Sequence, residues 1–342
     1  MPLEVRSLAD ETIEWDAFVR STPEGSPFHL LAWKRAVEGS FGHRPHYLMA
    51  VGDHGIEGVL PLFEVRGLLG GRGLISVPYG VYGGICARSG PARQILLDHA
   101  TELARRVGAA YVELRHRTGQ EMDLPTKSLY VTFSRPISGD DDENLAAIPR
   151  KQRRMTRQGA KHGLRAEFGL QHLDAFYDIY ARSVHQLGSP VFPRRLFTAI
   201  AQEFQKDCEL FTIWKDGRML SGVLTLLYED QALPYYGGAL RDAFEYAVND
   251  FMYWQLLCHV AHKGFRVFDF GRSREGTGPY HFKRHWGFEP QPLPYQYVLL
   301  DGGSVPNISP SNPKMRLAVA AWKRAPFPLA RLVGPALTRY LP

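Results

Sequence analysis

The stretch HYLMAVGDHGIEGVLPLF, residues 46–63, decides how the chain is organised, because residues 210–227, LFTIWKDGRMLSGVLTLL, repeat its form. Each reads as two β-type runs around a polar turn, and each opens its second run on Gly-Val-Leu, at Gly58 and at Gly222. Asp216-Gly217 between such runs is a good hairpin signal, since tight hairpin loops need left-handed backbone at their centre. Further on, Val81-Tyr82-Gly83-Gly84 is echoed by Tyr235-Tyr236-Gly237-Gly238. A helical stretch and a short strand follow each echo, at 92–107 and 111–115 in the first copy and at 246–263 and 267–271 in the second. Three landmarks in the same order, about 154 to 164 residues apart, predict a duplication. Mixed strands with helices packed on them make each copy an α/β layer domain, of the α+β type with a mixed sheet. The expected division is a first domain at 1–137, a basic linker helix at 138–163, a second domain at 164–302 and a basic amphipathic tail at 303–342.

Composition limits the rest. With 342 residues, 44% of them hydrophobic, the chain can bury a large core, and its length suits two domains. No run is long and apolar enough to span a bilayer, and the first residues lack the basic-then-apolar order of a signal peptide. Cys86, Cys208 and Cys258 are widely spaced and fit no CxxC pattern, which predicts small core residues in a reducing, cytoplasmic compartment. The formal net charge of +6 is concentrated: no acidic residue follows Asp301, whereas Lys314, Arg316, Lys323, Arg324, Arg331 and Arg339 do. That pattern points to anionic partners at particular places and not to the wrapping of DNA.

A second basic cluster lies between the copies. After the polar turn at 138–144, Pro149 suits a first helical turn, and Arg150, Arg154, Arg157 and Lys161 follow at steps of four, three and four. They form one stripe on a helix whose end Gly159 and Gly163 are expected to mark. Like charges on one face repel by a few tenths of a kcal/mol per pair, roughly, so the stripe reads either as a solvated linker or as a phosphate contact.

The duplicated unit, the linker IPRKQRRMTR (148–157), the segment YAVNDFMYW (246–254), and FDFG (268–271) followed by YHFKR (280–284) together resemble the FemABX family. These are tandem acyltransferase-fold proteins of the GNAT class, and the resemblance covers about residues 10 to 300. YGVYGGIC (79–86) and NPKMRL (312–317) are similar to the FemAB-like branch associated with exosortase and exopolysaccharide systems. The resemblance implies two tandem GNAT-like domains and transfer of an aminoacyl or acyl group to an amine on a cell-envelope acceptor. Aminoacyl-tRNA or acyl-CoA would be the co-substrate, with no permanently bound cofactor. It places Phe282 and Lys283 at the acyl-donor end of the cleft and a phosphate-contacting cation at Lys34 or Arg35. The coiled coil that many members insert for a tRNA donor is missing from this chain.

The residues fit such chemistry. Acyl transfer to an amine builds negative charge on the carbonyl oxygen, so positive charge from Lys283, read as an exposed lysine, with Arg284 nearby, suits the donor's ester and phosphate end. Phe282 packs inward, Tyr280 and Trp286 offer faces for a base or sugar, and Tyr82 and Tyr236 of the repeated echo are further substrate contacts. Asp269 is either the base for the attacking ammonium or a buried structural carboxylate; Asp250 reads as a charge favouring its helix dipole. His281 and His285 lack further ligands, so no metal is expected. Arg105 to Ala110 matches an acetyl-CoA loop only superficially, because it ends a helix and a pyrophosphate loop opens one. The alternative is an inactive tandem domain that binds an anionic glycan or lipid-linked intermediate. The tail KMRLAVAAWKRA (314–325) puts Met315, Val319 and Trp322 on one side, either to dock on the second domain or to lie on the inner face of the membrane.

Overall fold

In the computed structural model, which describes residues 3–8, 13–67, 71–119, 122–300, 305 and 313–341, both repeated stretches form hairpins. The chain divides into two units that do not follow chain order. One comprises Met1–Tyr130, Pro292–Ile308 and Leu337–Pro342, the other Val131–Gln291 and Ser309–Ala336.

In chain order the first unit carries β1 (Glu4–Ser7), α1 (Ile13–Arg20), α2 (Leu31–Phe41), β2 (Arg44–Gly52), β3 (Gly55–Arg66), β4 (Arg72–Ile75), β5 (Cys86–Ala87), α3 (Gly90–Arg106), β6 (Tyr111–Leu114) and β7 (Thr126–Thr132). The second carries β8 (Ser134–Pro136), α4 (Asp141–Ala146), α5 (Arg150–Lys161), β9 (Arg165–Phe168), α6 (Leu173–Leu187), α7 (Arg194–Phe204), β10 (Cys208–Lys215), β11 (Arg218–Tyr228) and β12 (Gln231–Ala239). It continues with α8 (Val248–His262), β13 (Val267–Asp269), β14 (Ser273–Arg274) and α9 (Gly278–His285). Then β15 (Gln291–Leu299) returns to the first unit, and α10 (Pro313–Arg324) and α11 (Phe327–Thr338) form the tail.

Six strands of the first sheet correspond in order and direction to the strands of the second. In the first, β1 to β4 form an antiparallel meander, β4 runs parallel to β6 across the α3 crossover, and β15 lies antiparallel on β6. In the second, β9 to β12 form the meander, β12 runs parallel to β13 across α8, and β8 lies antiparallel on β13. Each sheet thus fills its sixth place with a strand from the far side of the linker or of the second half. The repeated Gly-Val-Leu has a packing cause. A Cβ on Gly58 would stand 2.9 Å from Leu96 of α3, and one on Gly222 would stand 2.7 Å from Phe176 of α6, so each glycine lets a helix lie close on its sheet. Asp216 and Gly217 take φ of +50° and +75°, the paired left-handed conformation that a two-residue hairpin loop demands.

Three sequence expectations change here. The stretch 138–144 contains a helix start, not only a turn: Asp140 caps α4, its Oδ1 accepting N–H bonds from Asp142 (2.7 Å) and Glu143 (3.3 Å). Helix α5 runs through Gly159, where a Cβ would meet that of Phe251 at 2.5 Å, so the glycine marks close contact with α8 and only Gly163, at φ +72°, ends the turn. The tail docks. Val319 and Lys323 rest on Gly188, Trp322 Nε1 donates to Ser189 O (3.1 Å), and His185 Nε2 donates to Trp322 O (3.0 Å). Arg331 pairs with Asp178 at 2.7 Å and Ala330 is fully buried. The Met315 side chain lies outside the described residues. All three cysteines are free thiols, and among the described residues no helix is long and apolar enough to cross a membrane.

Candidate active site

The parallel pair of the second unit holds together at only two positions, Gln231 with Val267 and Ala232 with Phe268. Beyond them β12 runs on to Ala239 while the chain after β13 turns away, so the strands diverge from a common base. β12 also bulges: Leu224 faces Tyr236 and Thr225 faces Pro234, leaving Tyr235 as the extra residue. A bulge interrupts the ladder, and Pro234 has no N–H to restore it.

The last residue of β13 makes the turn. Asp269, fully buried, accepts the Gly271 N–H at 2.7 Å, and Gly271 adopts φ +64°. The loop leads into α9, from which Lys283 reaches back. Its Nζ donates to the carbonyl oxygens of Phe270 (2.7 Å), Gly271 (2.9 Å) and Arg272 (3.1 Å), matching the three N–H groups of an ammonium. Burial pushes its pKa down to about 7, with Asp269 opposing the shift and Arg272 adding to it. Carbonyl and following N–H point opposite ways across a trans peptide, so this clamp turns the N–H groups of Gly271, Arg272 and Ser273 away from Nζ. The expectation of an exposed Lys283 is therefore corrected: it is 8% exposed, because helical phase puts it three residues before Trp286, on the core side.

Trp286 is corrected too. It is fully buried and donates from Nε1 to Asp250 Oδ1 (3.0 Å), so it is a core side chain and not a platform for ligand. Gln152 of α5 donates to the same oxygen at 3.0 Å. Asp250, expected as a helix-dipole charge, is thus a buried junction of α5, α8 and the end of α9, its pKa raised by burial. Phe282 is half-buried, its ring 5.6 Å from Tyr253 and 5.9 Å from Trp286, and Tyr280 meets Phe133 edge-on at 5.5 Å. Tyr253 was not singled out by sequence. A Cβ on Gly237 would stand 3.3 Å from its hydroxyl, so the phenol, its pKa pushed up to about 12 by burial, lies beside the Gly-Gly end of β12.

Other candidates lie apart from Lys283. Arg150, Arg154, Arg157 and Lys161 are all exposed along α5, whose opposite face buries Gln152, Thr156 and Gly159. Arg284 is exposed, 4.0 Å from Glu289. Tyr236 is buried among Tyr180, Phe192 and Phe197. In the first unit Lys34 pairs with Glu38 at 3.1 Å, Arg35 is exposed, and Tyr82 is fully buried under the Arg117 guanidinium, 4.8 Å from its ring centre. Both tyrosines of the echo are core residues there, which corrects the expectation of direct substrate contact. The first unit has its own cavity of about 180 Å³ beyond its parallel pair, lined by His29, Gly83, Gly84, His116 and Arg117 among others.

The crossover helix of the second unit does not open like a diphosphate site. α8 starts from Ala247 at φ +53° and carries the buried Asp250 carboxylate in its first turn, while α3 is capped by Ser89, which accepts the Ala92 N–H. A carboxylate at a helix start repels the anion that such a site binds. Among the described residues no group of three or more His, Cys, Asp or Glu side chains is placed to hold a metal ion.

The pattern of meander, parallel pair and divergence, used twice, has known counterparts. Residues 145–284 match the family model for an acetyltransferase (GNAT) domain. The fold is tandem GNAT-like. FemX is similar over 86% of this chain and 98% of its own, at 17% identity and a TM-score of 0.68. A tandem GNAT protein from the clavulanic acid biosynthesis pathway is similar over 88% and 100%, at 13% identity and 0.53. L-PGS from Bacillus licheniformis is similar over 92% and 97%, at 11% identity and 0.54. No curated protein sequence matches this chain.

Proposed function

We propose that the chain is an N-acyltransferase that moves an acyl or aminoacyl group from an ester donor to an amine on a cell-envelope or exopolysaccharide-related acceptor. The observation that carries this reading is the buried cation of Lys283 behind the loop where the parallel pair opens. The amine nitrogen attacks the carbonyl carbon, the C–N bond forms, the ester C–O bond breaks, and the amine proton leaves with the departing oxygen. Charge builds on the carbonyl oxygen meanwhile, and a preorganised donor there is worth about 3 kcal/mol. Lys283 acts as a positioning residue, since its three donors already hold the loop's carbonyls on its own side. Phe282, Tyr280 and Tyr253 supply the apolar wall. Asp269 shapes the turn, so the attacking amine arrives neutral.

The buried Asp250 at the start of α8 disfavours a CoA diphosphate in the second unit, which favours aminoacyl-tRNA as the donor there. The exposed stripe Arg150, Arg154, Arg157 is the phosphate contact, with Lys34 and Arg35 as further cations for a phosphate-bearing or lipid-linked substrate. Replacing the three stripe arginines by glutamine is expected to weaken binding of such a substrate about tenfold or more and to flatten its salt dependence. Fluorescence titration at two salt concentrations checks this, and unchanged affinity and slope would leave the stripe a solvated face. The docked tail still exposes Leu317, Leu329 and Leu332 beside Lys323, Arg324 and Arg331, which suits contact with the inner face of the membrane. Full-length protein is expected to sediment with anionic vesicles at low salt, and Leu329→Glu/Leu332→Glu protein to stay in the supernatant.

A second reading, an inactive tandem domain that binds an anionic glycan or lipid-linked intermediate, is favoured by the commitment of all three Nζ donors to the backbone. Mass spectrometry of ligand co-purifying with the protein, before and after incubation with aminoacyl-tRNA or acyl-CoA, separates the two. An acylated amine supports the transferase; intact ligand with no donor turned over supports the binding domain.

A further inference from the structure

The first unit gathers guanidiniums at the end of its sheet opposite the divergence. Arg44 starts β2, Arg66 ends β3 and Arg72 starts β4; Arg44 stands opposite Glu64, and Arg66 stands directly opposite Arg72. Directly opposed residues share a face, as do residues two apart on one strand, so all four side chains lie on the same face. They line a cavity of about 530 Å³ together with Gly42, His43, Arg339 and Tyr340. An adjoining cavity of similar volume shares Arg44, Glu64 and Arg72 and adds His46 and Arg106.

The charge there is unbalanced. Among the described residues Glu64 is the one carboxylate lining either cavity, and it pairs with Arg72 at 3.0 Å. Among the described residues no carboxylate pairs with Arg44, Arg66, Arg106 or Arg339, and guanidinium does not lose its proton in proteins. Both lining imidazoles are held neutral at pH 7: burial and Arg339 lower His43, and burial with Arg44 and Arg106 lowers His46. Like charges directly across a strand pair are destabilising, so the Arg66–Arg72 pair works against the fold unless something sits between them.

The wall is also built with care. His43 Nε2 donates to the Tyr79 hydroxyl (2.8 Å), which donates in turn to the carbonyl of Thr338 (3.1 Å). Tyr79 itself holds φ +65°, a conformation that a bulky residue rarely takes, and stacks on Phe41 at 3.9 Å. A buried network therefore fixes the last turn of the chain where Arg339 and Tyr340 complete the cavity.

We infer that this cavity is an anion site for a phosphate or diphosphate ester, separate from the acyl-transfer site and independent of that reading. Guanidiniums converging on one space match the oxygens of such a group with paired, charge-assisted hydrogen bonds. The ester belongs either to a soluble molecule or to a lipid headgroup.

The test compares the full chain with Arg44→Gln/Arg66→Gln/Arg339→Gln and with a control that removes as many exposed cations outside either site, Arg165→Gln/Arg195→Gln/Lys206→Gln, each checked for an unchanged circular dichroism spectrum. Calorimetric titration with inorganic pyrophosphate in about 50 mM salt, where charge pairing is only weakly screened, is one arm. Co-sedimentation with vesicles of phosphatidylglycerol in phosphatidylcholine is the other. At least a tenfold loss of pyrophosphate affinity in the first variant, and not in the second, supports a soluble phosphate ester. Vesicle binding lost in the first variant without pyrophosphate binding supports a headgroup. If the first variant matches the parent in both arms, or the parent binds neither probe, the inference is wrong.

Discussion

Lys283→Met is expected to lower turnover with an accepted donor about a hundredfold or more and to lower thermal stability as well. The two losses have one cause. The ammonium satisfies the carbonyls of Phe270, Gly271 and Arg272, and each buried carbonyl left without a donor costs about 1–3 kcal/mol. Once freed, the loop no longer holds its peptides in one orientation, and alignment at a reacting carbonyl is worth orders of magnitude in rate. The pH dependence separates this role from bulk packing. Burial lowers the Lys283 pKa from 10.5 to about 7, so between about 7 and 10 the unfolded chain binds more protons than the folded one. The stability contribution of this group therefore rises with pH across that window, and the methionine variant is expected to lose the slope. If charge matters to the reaction, the rate of the parent falls as pH rises through about 7. In Lys283→Arg, whose charge persists, that falling limb disappears while part of the rate remains. A methionine variant with parental turnover would remove Lys283 from the reaction altogether.

What was legible in the sequence was local. The two hairpins could be read because alternation and the Asp216-Gly217 turn are properties of neighbouring residues, and the crossover helices because their length and apolar spacing exceed a strand's. The exchange of β8 and β15 could not be read, since Ser134–Pro136 and Gln291–Leu299 look like any short strands and their partners lie far along the chain. Asp250 stands in the first turn of α8 as read, but its burial as a junction could not be read for the same reason: its two donors, Gln152 and Trp286, are 98 and 36 residues away. Lys283 is a different kind of miss. It stands in the basic run Lys283-Arg284-His285 and so reads as surface, yet its step of three to Trp286 already placed it on the buried side of a helix. The arginine cavity escaped notice because Arg44, Arg66, Arg72 and Arg339 are scattered in sequence and meet only through strand register and the return of the chain end.

The first unit is expected to lose stability steeply as pH falls from about 6.5 to about 4. Three of its histidines are buried and neutral. Burial lowers His29 and His43 to about 4 and His116 to about 3, with Arg339 adding to the shift at His43. At His116 the hydrogen bond itself needs the neutral ring, because its Nε2 accepts the Ile85 N–H at 3.1 Å; at His29 burial outweighs the Gly84 carbonyl, which accepts from Nε2 at 3.1 Å and favours the charged form. Protonating His116 at Nε2 would set two donors against each other. Gly84 is also packed so tightly that a Cβ there would stand 1.9 Å from the His116 ring, so the imidazole cannot swing away. The sign follows from proton binding. Below 6.5 the unfolded histidines take up protons that the folded ones refuse until about 4, so the unfolded state binds more protons and stability falls with falling pH. One pKa unit is about 1.4 kcal/mol, so three such groups give a slope approaching 4 kcal/mol per pH unit near pH 5. Few domains have more than about 5–15 kcal/mol in all, so unfolding is expected before pH 4. Urea denaturation between pH 7 and 4.5 measures the slope directly. His116→Asn, whose carboxamide can still accept from Ile85, is expected to start less stable at pH 7 but to reduce the slope by about one proton's share. A parent whose stability stays level between pH 6.5 and 4.5 would show that these imidazoles are not held neutral by the fold.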